Sequence, residues 1–153
     1  MAPNFNFYIY LIVLISITGC KENSLIEINN IGYSSSIDSL KTISNSVQNF
    51  KWNSGKAGYN WIEFDVAKHQ RINRISFNLE SYPTASYKAH VLAKFQGNDY
   101  FETIFMRKSK NQPMDTIIYD VDFYLNNVSR FRIEVTNELS WNVISNLKIE
   151  GYK

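Results

Sequence analysis

Trp61-Ile62-Glu63-Phe64-Asp65-Val66 and, after the polar link Ala67-Lys68-His69-Gln70-Arg71, Ile72-Asn73-Arg74-Ile75-Ser76-Phe77-Asn78-Leu79 carry the alternation from which the fold is read. In the first stretch Ile62, Phe64 and Val66 alternate with Glu63 and Asp65. In the second Ile75, Phe77 and Leu79 alternate with Arg74, Ser76 and Asn78. A period of two marks a half-buried β-strand, because successive side chains point to opposite faces of a sheet. The link is short enough to make the two strands neighbours.

The same pattern recurs downstream. Tyr87, Ala89, Val91, Ala93 and Phe95 alternate with Lys88, His90, Leu92, Lys94 and Gln96. Gly97-Asn98-Asp99 has the composition of a hairpin turn, answered by Tyr100 to Met106. Further strands are predicted over 117–124, 130–136 and 145–150, the last with Ser145, Leu147 and Ile149 in one phase. A first strand is predicted over 26–33, and residues 34–51 read as a short helix or a packed loop. About eight strands without long helices between them predict an all-β, antiparallel β-sandwich.

Composition bounds the rest. The chain has 153 residues, which suits one domain. Sixteen basic side chains stand against 14 acidic ones, so binding to nucleic acid through bulk charge is not expected. The aromatic content is high, with 10 Tyr, 10 Phe and 3 Trp. Most of these rings, Trp52 and Trp61 among them, are expected in the core, and a few in reach of a ligand.

Residues 1–20 carry no charged side chain, and Phe7 to Ile17 is almost wholly apolar. That run is too short to span a bilayer, which needs about 20 residues, and it suits a secretory leader. Its end, Ile17-Thr18-Gly19-Cys20, resembles the lipobox of bacterial lipoproteins. The resemblance implies a signal peptide over 1–19, acylation of Cys20, a tether over 20–25 and a folded domain over 26–153. Membrane contact would then come through the lipid anchor alone, on the periplasmic or cell-surface face of an outer membrane. Met1 to Asn6 departs from the pattern by lacking Lys or Arg.

If each strand crosses the sandwich and the next returns, the connections sort into two ends. One end carries 53–60, 81–86, 107–115 and 137–143; the other carries 68–71, 97–99, 125–129 and the C-terminus. The first set is longer and richer in aromatic and charged residues, and long loops on a rigid scaffold are where binding resides.

Asn60-Trp61-Ile62-Glu63-Phe64-Asp65-Val66 followed by Arg71-Ile72-Asn73-Arg74-Ile75 resembles the discoidin, or coagulation-factor type C, domain of the galactose-binding-like superfamily. The Tyr87–Gln96 stretch with its Gly97-Asn98-Asp99 turn, Ser129-Arg130-Phe131-Arg132-Ile133-Glu134-Val135, and Trp141 to Gly151 follow in the family's order. The resemblance implies a jelly-roll sandwich with ligand loops at one end. Carbohydrate-binding members often hold a structural calcium; here Lys51 and Asn146 stand where helpful oxygens would sit, so neither a metal nor any other cofactor is expected.

No catalytic arrangement is found. His69 and His90 lack a partner for metal ligation, Asp120 and Asp122 read as a solvated strand face, and no Gly-rich phosphate cradle is present. An enzyme is not expected. The candidate ligand contacts are Tyr59, Asn60, Tyr82, Arg107, Glu138, Trp141 and Asn142, because sugars stack their C–H faces on rings while carboxylates, amides and Arg take the hydroxyls. Arg107-Lys108-Ser109-Lys110 makes its loop basic, favouring an acidic partner such as a uronic-acid polysaccharide or an anionic headgroup. The expected partner is a glycan, bound by a lipid-anchored module. The alternative is an envelope protein, with the chain as a subunit or accessory factor of an envelope complex.

Overall fold

The computed structural model describes residues 23–35, 50–67, 71–110 and 113–152. Cys20, His69 and the 36–49 segment lie outside the described residues. The described chain is all β, with strands β1 (Ser24–Leu25), β2 (Ile28–Tyr33), β3 (Lys51–Asn53), β4 (Gly58–Val66), β5 (Arg71–Tyr82), β6 (Tyr87–Phe95), β7 (Glu102–Ser109), β8 (Met114–Asn126), β9 (Val128–Asn137) and β10 (Trp141–Tyr152).

Two antiparallel sheets form the sandwich. One has the order β1-β10-β5-β8, with β3 also pairing β10; the other has the order β2-β4-β9-β6-β7. The core lies between them, as alternation requires: Ile62, Phe64, Ile133 and Phe131 from one sheet face Phe77, Leu79, Ile144 and Leu147 from the other, all buried. The rings of Phe64 and Phe131 meet at 6.1 Å. Trp52 is fully buried, as its sequence context predicts, and its indole Nε1 donates to the Ser35 carbonyl at 2.9 Å.

Four local readings are corrected. The strand expected over 26–33 begins only at Ile28, and a separate short strand, Ser24–Leu25, precedes it in the other sheet. Leu25 pairs with Glu150 and Ile28 with Val66, and the chain changes sheets across the buried Ile26. Ser24 and Leu25, expected to lie outside the folded domain, thus pair with β10. β3 is an extra strand, paired through Trp52 and Ile144. Trp61 is not in the core: it shares the outward phase of Glu63 and Asp65, and its ring lies under the Arg132 guanidinium at 4.8 Å. Ser145 points out of the core phase, because the β5–β10 register shifts between Ser145 and Lys148 and hands the buried positions to Ile144 and Leu147.

Strand register places the connections. Gly58 pairs with Asn137, Asn53 with Val143, Tyr82 with Trp141, Tyr87 with Ser109 and Glu80 with Met114. The connections around 54–57, 83–86 and 138–140 therefore share one end, called the rim below, with Ser109 and Met114.

Candidate rim site

The rim stands on buried polar side chains. Asn142 donates its backbone N–H to Ser54 Oγ and accepts at its carbonyl from Ser54 N, both at 2.9 Å. Its side-chain Oδ1 accepts from Ser81 Oγ at 3.0 Å. Asn60 Nδ2 donates to the carbonyls of Lys56 at 2.9 Å and Gly58 at 3.3 Å, while its Oδ1 accepts from Ser35 Oγ at 2.9 Å. Ser140 Oγ donates to the Pro83 carbonyl, tying two connections together. Loops exposed on a sandwich end have backbone groups that no sheet satisfies, and these short polar side chains supply the partners.

The candidate residues therefore divide. Asn60 and Asn142 are fully buried and act as struts beneath the rim. Tyr82 and Trp141 are brought together: they are register partners at the ends of β5 and β10, and their rings stack at 6.2 Å with 26° between planes. Both remain about two-fifths exposed, at 43% and 40%. The Tyr82 hydroxyl donates to Glu80, a hydrogen bond that raises its pKa and fixes the ring's edge. The result is a two-ring step with open faces, on the outer side of the β10-β5-β8 sheet.

Tyr59 sits elsewhere. It is exposed on the outer face of the other sheet, where its hydroxyl donates to Glu134 Oε1 at 2.7 Å. Partial burial and that carboxylate push its pKa up to about 12. Arg107 lies on β7, at the side of the sandwich, and pairs through Nε with Asp115 Oδ2 at 3.2 Å. The same carboxylate oxygen accepts from the Tyr87 hydroxyl at 2.6 Å, so Arg107 closes a bridge between the edge strands β7 and β8. Glu138 is exposed on the connection that crosses between sheets, beside Leu139, which is 79% exposed.

Sequence reasoning missed Ser54, Ser81, Asn137 and Ser140, all buried at the rim. Serine and asparagine in a loop carry no pattern that separates a strut from a solvated residue. Asn137 and Asn142 each keep a buried Nδ2 with no hydrogen-bond partner, which suits ordered water beneath the 138–140 connection.

The family resemblance would put calcium beside Lys51 and Asn146, where β3 pairs with β10. Lys51 and Ser145 are register partners there, and the Phe50 carbonyl already accepts from Asn146 N at 3.1 Å. Among the described residues no three His, Cys, Asp or Glu side chains gather into a metal site. His90 lies on a sheet face, paired in register with Glu134 and Met106.

No protein-family model matches the chain, and no curated protein matches it by sequence. Solved structures match its fold. The family 32 carbohydrate-binding module of C. perfringens NanJ, solved with galactose, has 9% identity over 83% of this chain and 99% of its own, with a TM-score of 0.59. The family 32 module of AlyQ, solved with 4,5-unsaturated mannuronic acid, has 16% identity over 82% and 97%, with a TM-score of 0.56. The F5/8 type C domain of a Bacteroides fragilis protein has 13% identity over 84% and 97%, with a TM-score of 0.53.

Proposed function

We propose that this chain, whose fold is that of the discoidin-like, galactose-binding-like modules, is a non-catalytic carbohydrate-binding module that meets its ligand on the Tyr82–Trp141 step. The observation that carries this reading is the pair of stacked, half-open rings at the rim. A sugar ring presents a C–H face of weak positive polarity, which suits the negative face of an aromatic ring, and the contact removes apolar area from water. Glu80, held against Tyr82, offers a carboxylate for hydroxyl groups beside the step. The modules of NanJ and AlyQ, solved with sugars, support the same use of this fold.

The test is a glycan array followed by titration of the hits. Trp141→Ala, with an unchanged far-ultraviolet spectrum, is expected to weaken binding by about tenfold or more. A silent array against a broad set of glycans would overturn the reading.

The lipobox-like Ile17-Thr18-Gly19-Cys20 supports display of this module on a lipid anchor at the outer membrane. Incorporation of labelled fatty acid that disappears in Cys20→Ala is the expected result. One observation favours the second reading, a protein partner. Leu139 and Met114 are exposed at the same end as Tyr82 and Trp141, an apolar group suited to a protein surface. A stable pull-down partner lost in Leu139→Asp, with silent arrays, would favour it.

A further inference from the structure

The outer face of the β10-β5-β8 sheet holds a groove of about 450 Å³ below the rim, lined by Ser76, Phe77, Asn78, Thr116, Ile118, Asn146 and Lys148. This volume lies within the range of small-molecule sites. Five of the seven residues have side chains that end in a hydroxyl, amide or ammonium group. Ile118 supplies an apolar wall and is 54% exposed, although it lies in the middle of a long strand. A groove of this lining matches a ligand rich in hydroxyl groups with intervening C–H surface.

The groove follows from an irregularity in β10. Its register with β5 shifts between Ser145 and Lys148, and Asn146 takes a φ of 53°. Asn tolerates that left-handed conformation better than most residues. The bulge turns Asn146 and Lys148 to solvent on either side of Leu147, which stays fully buried. A regular strand could not present both without losing a core residue; bulges re-aim side chains in this way.

The groove is also aligned with the ring step. On β5 the outward residues run Tyr82, Glu80, Asn78, Ser76 and Arg74, so Tyr82 and Ser76 are separated by ~20 Å along one strand. Such a run is longer than one sugar ring. Charge distinguishes the far end. Arg74 is held by Asp120 and by Glu150, the latter at 3.6 Å, whereas Lys148 has no ion pair among the described residues. An unpaired ammonium beside amides and hydroxyls suits a carboxylate.

We propose that the Tyr82–Trp141 step and this groove form one track for an extended acidic polysaccharide, its sugar rings running along β5 and a uronate carboxylate meeting Lys148. The proposal rests on the carbohydrate reading of the rim and adds to it a chain-length requirement and a charge requirement.

Calorimetric titration with mono-, di-, tetra- and hexasaccharides of the mannuronate and galacturonate series tests it. Affinity for one series is expected to rise with length, by about tenfold between di- and tetrasaccharide. Lys148→Gln, an exposed change checked by circular dichroism, should lower tetrasaccharide affinity by about fivefold and leave the disaccharide unchanged. Carboxyl-reduced tetrasaccharide should behave with wild-type protein as the native one does with Lys148→Gln. Trp141→Ala should weaken every length. Short sugars bound with a flat length profile, or a Lys148→Gln variant indistinguishable from wild type, would overturn the track and leave the rim reading standing. No binding of any sugar, on the array or here, would overturn both.

Discussion

Arg132 grips Glu63 with two nitrogens, Nε at 3.0 Å and Nη2 at 2.6 Å, both on Oε2. The other oxygen, Oε1, takes Arg130 Nη1 at 2.9 Å. Arg132 is itself clasped between the rings of Trp61, at 4.8 Å, and Phe101, at 4.3 Å. The network continues from Arg130 to Asp65 and from Asp65 to Asn30. The face of the β2-β4-β9-β6-β7 sheet is thus cross-linked by charge between β4 and β9, and by the neutral Asn30 amide to β2.

Glu63 is the node of that lattice, and its side chain is only 13% exposed. Glu63→Ala would leave Arg130 with Asp65 alone and strip Arg132 of both its short hydrogen bonds, keeping only a 3.8 Å contact with Glu134. A loss of about 2 kcal/mol is expected by urea denaturation, since unpairing a half-buried charge costs more than losing a surface pair. A change below ~0.5 kcal/mol would mark the lattice as an ordinary solvated one.

Much of this lattice was legible as alternation and little of it as chemistry. Glu63, Asp65, Arg130 and Arg132 fall on the outward phase of their strands, and the sequence says so. Trp61 falls on the same phase, yet its size invites a core assignment; the guanidinium that covers it belongs to a strand about 70 residues away, a contact no local pattern reveals. The buried roles of Asn60 and Asn142 were hidden for a related reason, since a polar residue at a strand end reads as surface until its partners Ser35 and Ser81 are placed. The shared rim, by contrast, follows from counting strand reversals and needs no side-chain detail.

The same face sets a response to acid. Arg130, through its hydrogen bond, and Asn30 hold the Asp65 carboxyl below its ordinary pKa. A depressed pKa means that the folded state binds this proton less readily than the unfolded chain. The stabilisation is therefore complete above the unfolded value, about 3.9, and is lost as pH falls through the lower folded value. Wild-type stability should decline below pH ~4, and Asp65→Asn should be less stable at neutral pH with a shallower decline. Parallel pH profiles for the two proteins would sink this assignment.

Gly151 is fixed by a close approach. A Cβ there would lie 2.1 Å from the Arg71 carbonyl oxygen and 2.9 Å from Ile26 Cδ1. The position adjoins the register shift between Glu150 and Gly151, where β10 passes β5 and β1. The nearest obstacle is backbone, so no rotamer change relieves it. Gly151→Ala should cost about 3 kcal/mol or fail to fold, as overpacking against main chain does. A melting temperature within a few degrees of wild type would show that the strands separate more easily than their pairing suggests.

Two exposed tyrosines, Tyr82 and Tyr59, should separate in binding assays. Tyr82 stacks on Trp141, whereas Tyr59 stands on the opposite outer face with its hydroxyl committed to Glu134. If sugar is held by ring faces, Tyr82→Ala removes half of the step and should weaken glycan binding by about fivefold. Tyr82→Phe keeps the ring and loses only the link to Glu80, so its affinity should stay within about twofold of wild type. Tyr59→Ala should leave affinity unchanged while reducing stability, because Glu134 loses its hydroxyl donor. The opposite order, with Tyr59→Ala abolishing binding and Tyr82→Ala silent, would move the ligand to the face of the β2-β4-β9-β6-β7 sheet and end the case for the Trp141 step.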